Sequence, residues 1–252
     1  MDFDDAKTTQ GEFELPGSYI DDEGGIFSVV KLKEMTGKEE DILAARTIPF
    51  VRRVNTVLRN CIESLSNGTK EITDKKELLI AVQKMTIGDR LFLIIALRRV
   101  SLGDMFSMEI ICPDCKKQGH YSVDLKDLDV KKMEKKDLRE YEVKMPCGKV
   151  AKMKIMLGED ESRISKIRNE NDFLTLSLLA RVIEIDGKQP SLTTIKDLSI
   201  RDRNYLRAKM DEVEGGIETI VDVTCSSCGT DFKTDLDVGD RNFFFPSEIS
   251  EI

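Results

Sequence analysis

The chain has one histidine, His120, in 252 residues. A multi-histidine metal centre is therefore out of reach, and any nucleophile-histidine arrangement would have to be built around that single residue. There is no Gly-x-x-x-x-Gly-Lys-Ser/Thr and no Gly-x-Gly-x-x-Gly, so neither familiar phosphate-cradling loop is present. Long apolar runs are missing too. The longest, residues 91–97, is far too short to span a bilayer. The start, Met1-Asp2-Phe3-Asp4-Asp5, is acidic where a secretory signal is basic and then apolar, which predicts a protein made in the cytosol. Basic residues are outnumbered, 39 Lys and Arg against 47 Asp and Glu, giving a net charge of −8. Non-specific nucleic-acid affinity comes mainly from neutralising phosphates, so this balance argues against it. The cluster Lys131, Lys132, Lys135 and Lys136 is interrupted by Glu134 and Asp137 and reads as the solvated start of a helix.

What is present is ordinary globular material with a heavily charged surface, patterned as an α+β protein: a helical N-terminal part, then a strand-rich zinc-ribbon-like module with a helical insertion. Residues 1–25, rich in Asp, Glu, Gly and Thr, read as an acidic flexible arm. Residues 26–107 read as a mainly helical domain. It opens on the strand Ile26-Phe27-Ser28-Val29-Val30-Lys31-Leu32 and a capping box, Thr36-Gly37-Lys38-Glu39. Val51, Val54, Val57, Leu58 and Cys61 recur at helical steps, which makes Cys61 a core residue. Residues 91–97 are apolar on nearly all sides, as in a helix at the centre of a domain. Residues 108–247 form the module, with strands in 108–156 and 217–238 and the helical insertion in 158–214.

Six cysteines in a chain with no export signal are expected as thiols, and their spacing decides what they do. Cys112-Pro113-Asp114-Cys115 and Cys225-Ser226-Ser227-Cys228 each lie between predicted strands, and each is followed, after an alternating strand, by Asp-Leu-Asp-Val. One unit is used twice. A Cys-x-x-Cys turn presents two thiolates the same way, and two facing turns complete a closed, all-thiolate zinc tetrahedron. The candidate ligands are therefore Cys112, Cys115, Cys225 and Cys228, holding one structural zinc. A redox dithiol normally has one such pair at a helix start, which is not the pattern here. His120 and Cys147 are left as bystanders, because four thiolates already satisfy the metal.

Several segments in order carry a likeness: Thr36-Gly37-Lys38-Glu39-Glu40-Asp41-Ile42-Leu43-Ala44, Ile87-Gly88-Asp89-Arg90-Leu91, the two Cys-x-x-Cys turns, Asp197-Leu198-Ser199-Ile200-Arg201-Asp202, and Phe243-Phe244-Phe245-Pro246-Ser247. Through these, across residues 36–247, the chain resembles the baseplate hub assembly family of T-even-like contractile phages. The resemblance implies a non-enzymatic assembly or structural protein whose partners are other baseplate and tail proteins. It implies action in the host cytoplasm during assembly or residence in the tail baseplate, with no small-molecule substrate. Phe243, Phe244, Phe245 and Pro246, in a chain with few aromatics, are the candidate partner-binding residues. The competing reading is a zinc-ribbon nucleic-acid-binding or regulatory protein. Asp231, Asp235, Asp237 and Asp240 against Lys233 and Arg241 give the second ribbon half the wrong sign for that.

Overall fold

The computed structural model describes residues 3, 7–9, 11–164, 172–239 and 241–245. Its N-terminal region is built on a five-stranded antiparallel sheet of consecutive strands. These are β1 (Lys7–Thr9), β2 (Glu12–Ile20), β3 (Ile26–Leu32), β4 (Ile62–Ser66) and β5 (Glu71–Ile72). Residues 12–20 are thus not part of a flexible arm. Phe13, Leu15 and Tyr19 are buried on β2, and this alternating apolar side was outweighed in the sequence by the acids around it. Pro16 offers no amide, and the β2–β3 register breaks between Glu14 and Tyr19. Residues 133–139 dock there. Pro16 O accepts from the Met133 amide at 2.8 Å, Ser18 Oγ donates to Lys136 O at 2.7 Å, and Arg139 donates to Ser18 O at 2.9 Å. The lysine cluster is therefore no helix start. Lys132 and Lys136 both reach Glu14, at 2.6 Å each, and Lys131 donates to the carbonyls of Asp211 and Glu212.

Helices pack over this sheet. The capping box at α1 (Gly37–Ala44) forms as expected, with Thr36 and Glu39 satisfying each other's amides. In α2 (Phe50–Cys61) the stripe from Val51 to Cys61 is buried, and burial pushes the Cys61 thiol up to about 12. Asp74 caps α3 (Lys75–Lys84), and Thr86 caps α4 (Ile87–Leu102), whose centre is enclosed on all sides. The first turn of α4 is a junction. Asp89 accepts from the Gly17 amide at 2.6 Å and the Thr86 hydroxyl at 2.8 Å; Arg90 donates to Asn55, to Val82 O and to Glu161. The region expected to be mainly helical is therefore a mixed layer of helices on a sheet. Strands β4 and β5 went unread because each is short and follows or precedes a strong helix pattern.

The rest of the chain leaves this core and returns to it. Strands β6 (Met105–Ile111) and β7 (Gln118–Asp124) form a hairpin, followed by β8 (Val130–Lys131). Strands β9 (Glu140–Lys144) and β10 (Val150–Lys154) form a second hairpin, which β11 (Val182–Ile185) extends into a three-stranded sheet. Helices α5 (Gly158–Ile164), α6 (Phe173–Arg181), α7 (Leu192–Lys196) and α8 (Ile200–Val213) accompany it, so the insertion expected as helical also supplies a strand, β11. Val143, Met153, Leu178, Ile195 and Leu206 belong to a second, separate core. Strand β12 (Gly216–Ile217) then pairs with β8, and β13 (Ile220–Thr224) with β14 (Asp231–Asp235), before the short α9 (Arg241–Phe244). Leu125, Leu128, Val130, Ile217, Leu236 and Phe243 join the N-terminal core, so burial does not divide the chain at 107/108. Among the described residues no helix is long and apolar enough to cross a membrane.

Candidate metal centre

The duplicated unit folds as two equivalent hairpins, and each carries its cysteine pair where the chain leaves the first strand. Cys112 follows β6 and Cys225 follows β13. The two turns are closed the same way. The Cys112 amide donates to Lys117 O and the Lys116 amide to Cys112 O; the Cys225 amide donates to Thr230 O and the Gly229 amide to Cys225 O. The residue four past each first cysteine sits in the left-handed region, Lys116 at φ 60° and Gly229 at φ 76°. Glycine is the unstrained choice there, and the first copy manages with lysine. The hairpins meet through Tyr121 and Phe232, whose rings lie edge to face at 5.9 Å.

This brings Cys112, Cys115, Cys225 and Cys228 together, with all four sulfurs within 4.8 Å of one another. Cys112 and Cys228 sulfurs are 3.7 Å apart, and those of Cys115 and Cys225 are 3.8 Å apart. With metal-sulfur bonds of about 2.3 Å, a tetrahedral site has sulfur-sulfur edges of about 3.8 Å. The donor set therefore fits a tetrahedral, thiolate-preferring ion, which four ligands from the protein would enclose with no position left for water. The amides of Cys228 and Ser227 hold the Cys225 thiol down at about 6, and the Thr230 hydroxyl and amide lower Cys228. Both effects favour the thiolate, the form that binds metal, at the second turn; at the first, the Lys117 amide is outweighed by desolvation and the neighbouring sulfurs, which push the Cys115 thiol up to about 11.

His120 and Cys147 stand outside the cluster. His120 is exposed on β7, 3.5 Å from Glu109 across the hairpin. Cys147 lies at the tip of the β9–β10 hairpin, where its amide donates to Asp202. Two residues beside the metal centre were not singled out from the sequence. The Thr230 hydroxyl lies 3.4 Å from Cys228 Sγ and donates to Asp114 Oδ2 at 3.1 Å. Their signal was position alone: Asp114 lies between the first two cysteines, and Thr230 is two past the last.

The C-terminal aromatics separate into two kinds. Phe243 is fully buried in its own chain, against Phe106 at 5.2 Å, so it is core and not an exposed partner anchor. Phe244 and Phe245 are half-buried and line a groove of about 440 Å³ with Leu43, Phe50, Val238 and two arginines, Arg46 and Arg53. Pro246 lies outside the described residues.

A family model described as T4 bacteriophage base plate protein matches residues 12–184, more than half of the 252. The chain belongs to this family. No curated protein and no solved structure matches it. The matched span of this baseplate protein begins with β2 and ends in β11, so the supposed arm contributes family sequence from Glu12 onward. It contains the α1 capping box, the Ile87-Gly88-Asp89-Arg90 junction, Cys112 and Cys115, but neither Cys225 nor Cys228. The second pair is tied to the first by geometry.

Proposed function

We propose that this baseplate-family protein acts without catalysis as an assembly or structural component of the baseplate hub, and that one structural zinc held by Cys112, Cys115, Cys225 and Cys228 closes its fold. The family match over residues 12–184 carries the first half of the reading. The four facing sulfurs carry the second. A closed four-sulfur site gives a metal no open position for substrate, and the single histidine lies outside it. The ion would join two turns more than 100 residues apart in sequence, the 110 and 116 residues between Cys115 and Cys225 and between Cys112 and Cys228. Closing such a loop costs several kcal/mol of chain entropy, which metal binding would offset.

The partner surface we assign is the groove lined by Phe244 and Phe245. Its ionisable lining residues, Arg46 and Arg53, are both positive in a chain of net charge −8. Aromatic floor and arginine rim suit an acidic, apolar-anchored segment of another tail protein. The test is assembly in an infected host with this gene silenced and complemented. The reading expects hub-deficient baseplates, and recovery of the protein with hub intermediates on complementation. Normal baseplates in its absence, with the protein in none of the intermediates, would overturn it.

A further inference from the structure

The metal centre has an open side. Cys112 and Cys225 are buried, whereas Cys228 is exposed and Cys115 only partly covered. On that side the two turns touch through side chains as well as through sulfur. Thr230, just past the second turn, donates its hydroxyl hydrogen to Asp114 of the first turn at 3.1 Å, and its oxygen lies 3.4 Å from Cys228 Sγ. Asp114 and Thr230 are 116 residues apart in sequence, and this hydrogen bond needs no metal to form.

We infer that Thr230 and Asp114 form a latch that positions the two cysteine turns face to face and slows loss of the metal from the exposed side; this rests on the four-cysteine metal reading above. Three features support the assignment. The bond joins opposite turns, so it fixes the distance that the metal must bridge. Both residues are on rigid hydrogen-bonded turns: the Thr230 carbonyl accepts from the Cys225 amide, and Asp114 lies inside the turn closed by the Lys116 amide. The third is electrostatic. The Thr230 hydroxyl gives its one hydrogen to the Asp114 carboxylate, so that the negative charge of Asp114 is compensated beside the exposed Cys228 at the open edge of the site. The opposite edge has no need of such a device, because Cys112 and Cys225 are already enclosed.

The latch residues are not ligands, so the variants should alter how firmly the metal is held without altering what holds it. The experiment uses the full-length zinc-loaded chain and follows zinc transfer to a chromogenic chelator at fixed pH. A parallel cobalt-substituted sample reports the ligand set by its sulfur-to-metal absorption. Thr230→Val is expected to release zinc about tenfold faster than wild type, in the range of other outer-shell partners. Its cobalt spectrum should still be that of a four-sulfur tetrahedral site. Thr230→Ser keeps the hydroxyl and should behave as wild type. Asp114→Ala should also accelerate release, and the double variant should be no faster than Thr230→Val, because both substitutions remove one shared interaction. Equal release rates in all variants, or rate effects that multiply in the double variant, would overturn the latch while leaving the zinc reading intact. A wild-type chain that takes up neither zinc nor cobalt would overturn both.

Discussion

Gly88, in the first turn of α4, abuts Gly215 so closely that a methyl group on Gly88 would lie 1.9 Å from the Gly215 carbonyl oxygen. This contact joins the start of the most buried helix to the residue just before β12, where the chain returns from the second core. It gives a physical reason for the glycine in Ile87-Gly88-Asp89-Arg90: the neighbour is backbone, which cannot swing aside. Gly17 is restricted in a similar way, since a methyl group there would lie 2.8 Å from Asp89 Oδ2.

Gly88→Ala should therefore destabilise the protein by about 3 kcal/mol or more, at the upper end of overpacking costs. Gly37→Ala, with nothing within 4 Å of the added methyl, is the control and should be nearly neutral. Denaturant melts of the two variants decide the point. Equal, small effects would show that the α4 junction can move apart.

Glu14 predicts a pH dependence. Hydrogen bonds from Lys132 and then Lys136 hold its carboxyl below the usual glutamate value of 4.5. A carboxyl lowered in the folded state contributes stability above its unfolded value and loses it as the pH falls through the folded one. Glu14→Gln should cost about 1–2 kcal/mol near neutral pH, because the pair is only partly buried. The gap between variant and wild type should stay full down to about pH 4.5 and close on further acidification. A gap that widens in acid would contradict the assignment.

The C-terminal aromatics give a third prediction. Phe243→Ala removes a fully buried ring and should cost about 3–5 kcal/mol. Phe244→Ala combined with Phe245→Ala should cost less than that single change, since both rings are half-buried, while lowering incorporation into baseplate intermediates. Thermal melts and co-sedimentation with assembling baseplates separate the two effects. A double variant that melts early but incorporates normally would place those rings in the core as well.

The cysteine pairs were the most legible part of the sequence. Their ligand chemistry fixes both spacing and neighbours, and the repeated Asp-Leu-Asp-Val marked the two units as equivalent before their hairpins were known. The helix cap at Thr36 was legible for a similar reason, because it depends on residues three apart. What depends on distant partners was not. Glu14 and Lys132 look like members of an acidic arm and a basic cluster until β2 and residues 133–139 lie side by side. Phe243 looks like an exposed anchor until Phe106, far away in sequence, is seen against it. Local composition could not assign these residues, since each is satisfied by a group more than 100 positions away.

The most direct measurement is metal content and coordination in the full-length protein, purified under reducing conditions. One zinc per chain is expected, with X-ray absorption showing four sulfur neighbours at about 2.3 Å. Cys112→Ser and Cys228→Ser should each lose that signature and unfold earlier, while Cys61→Ser and Cys147→Ser keep it. A folded, metal-free protein with all four thiols free to react would contradict the account.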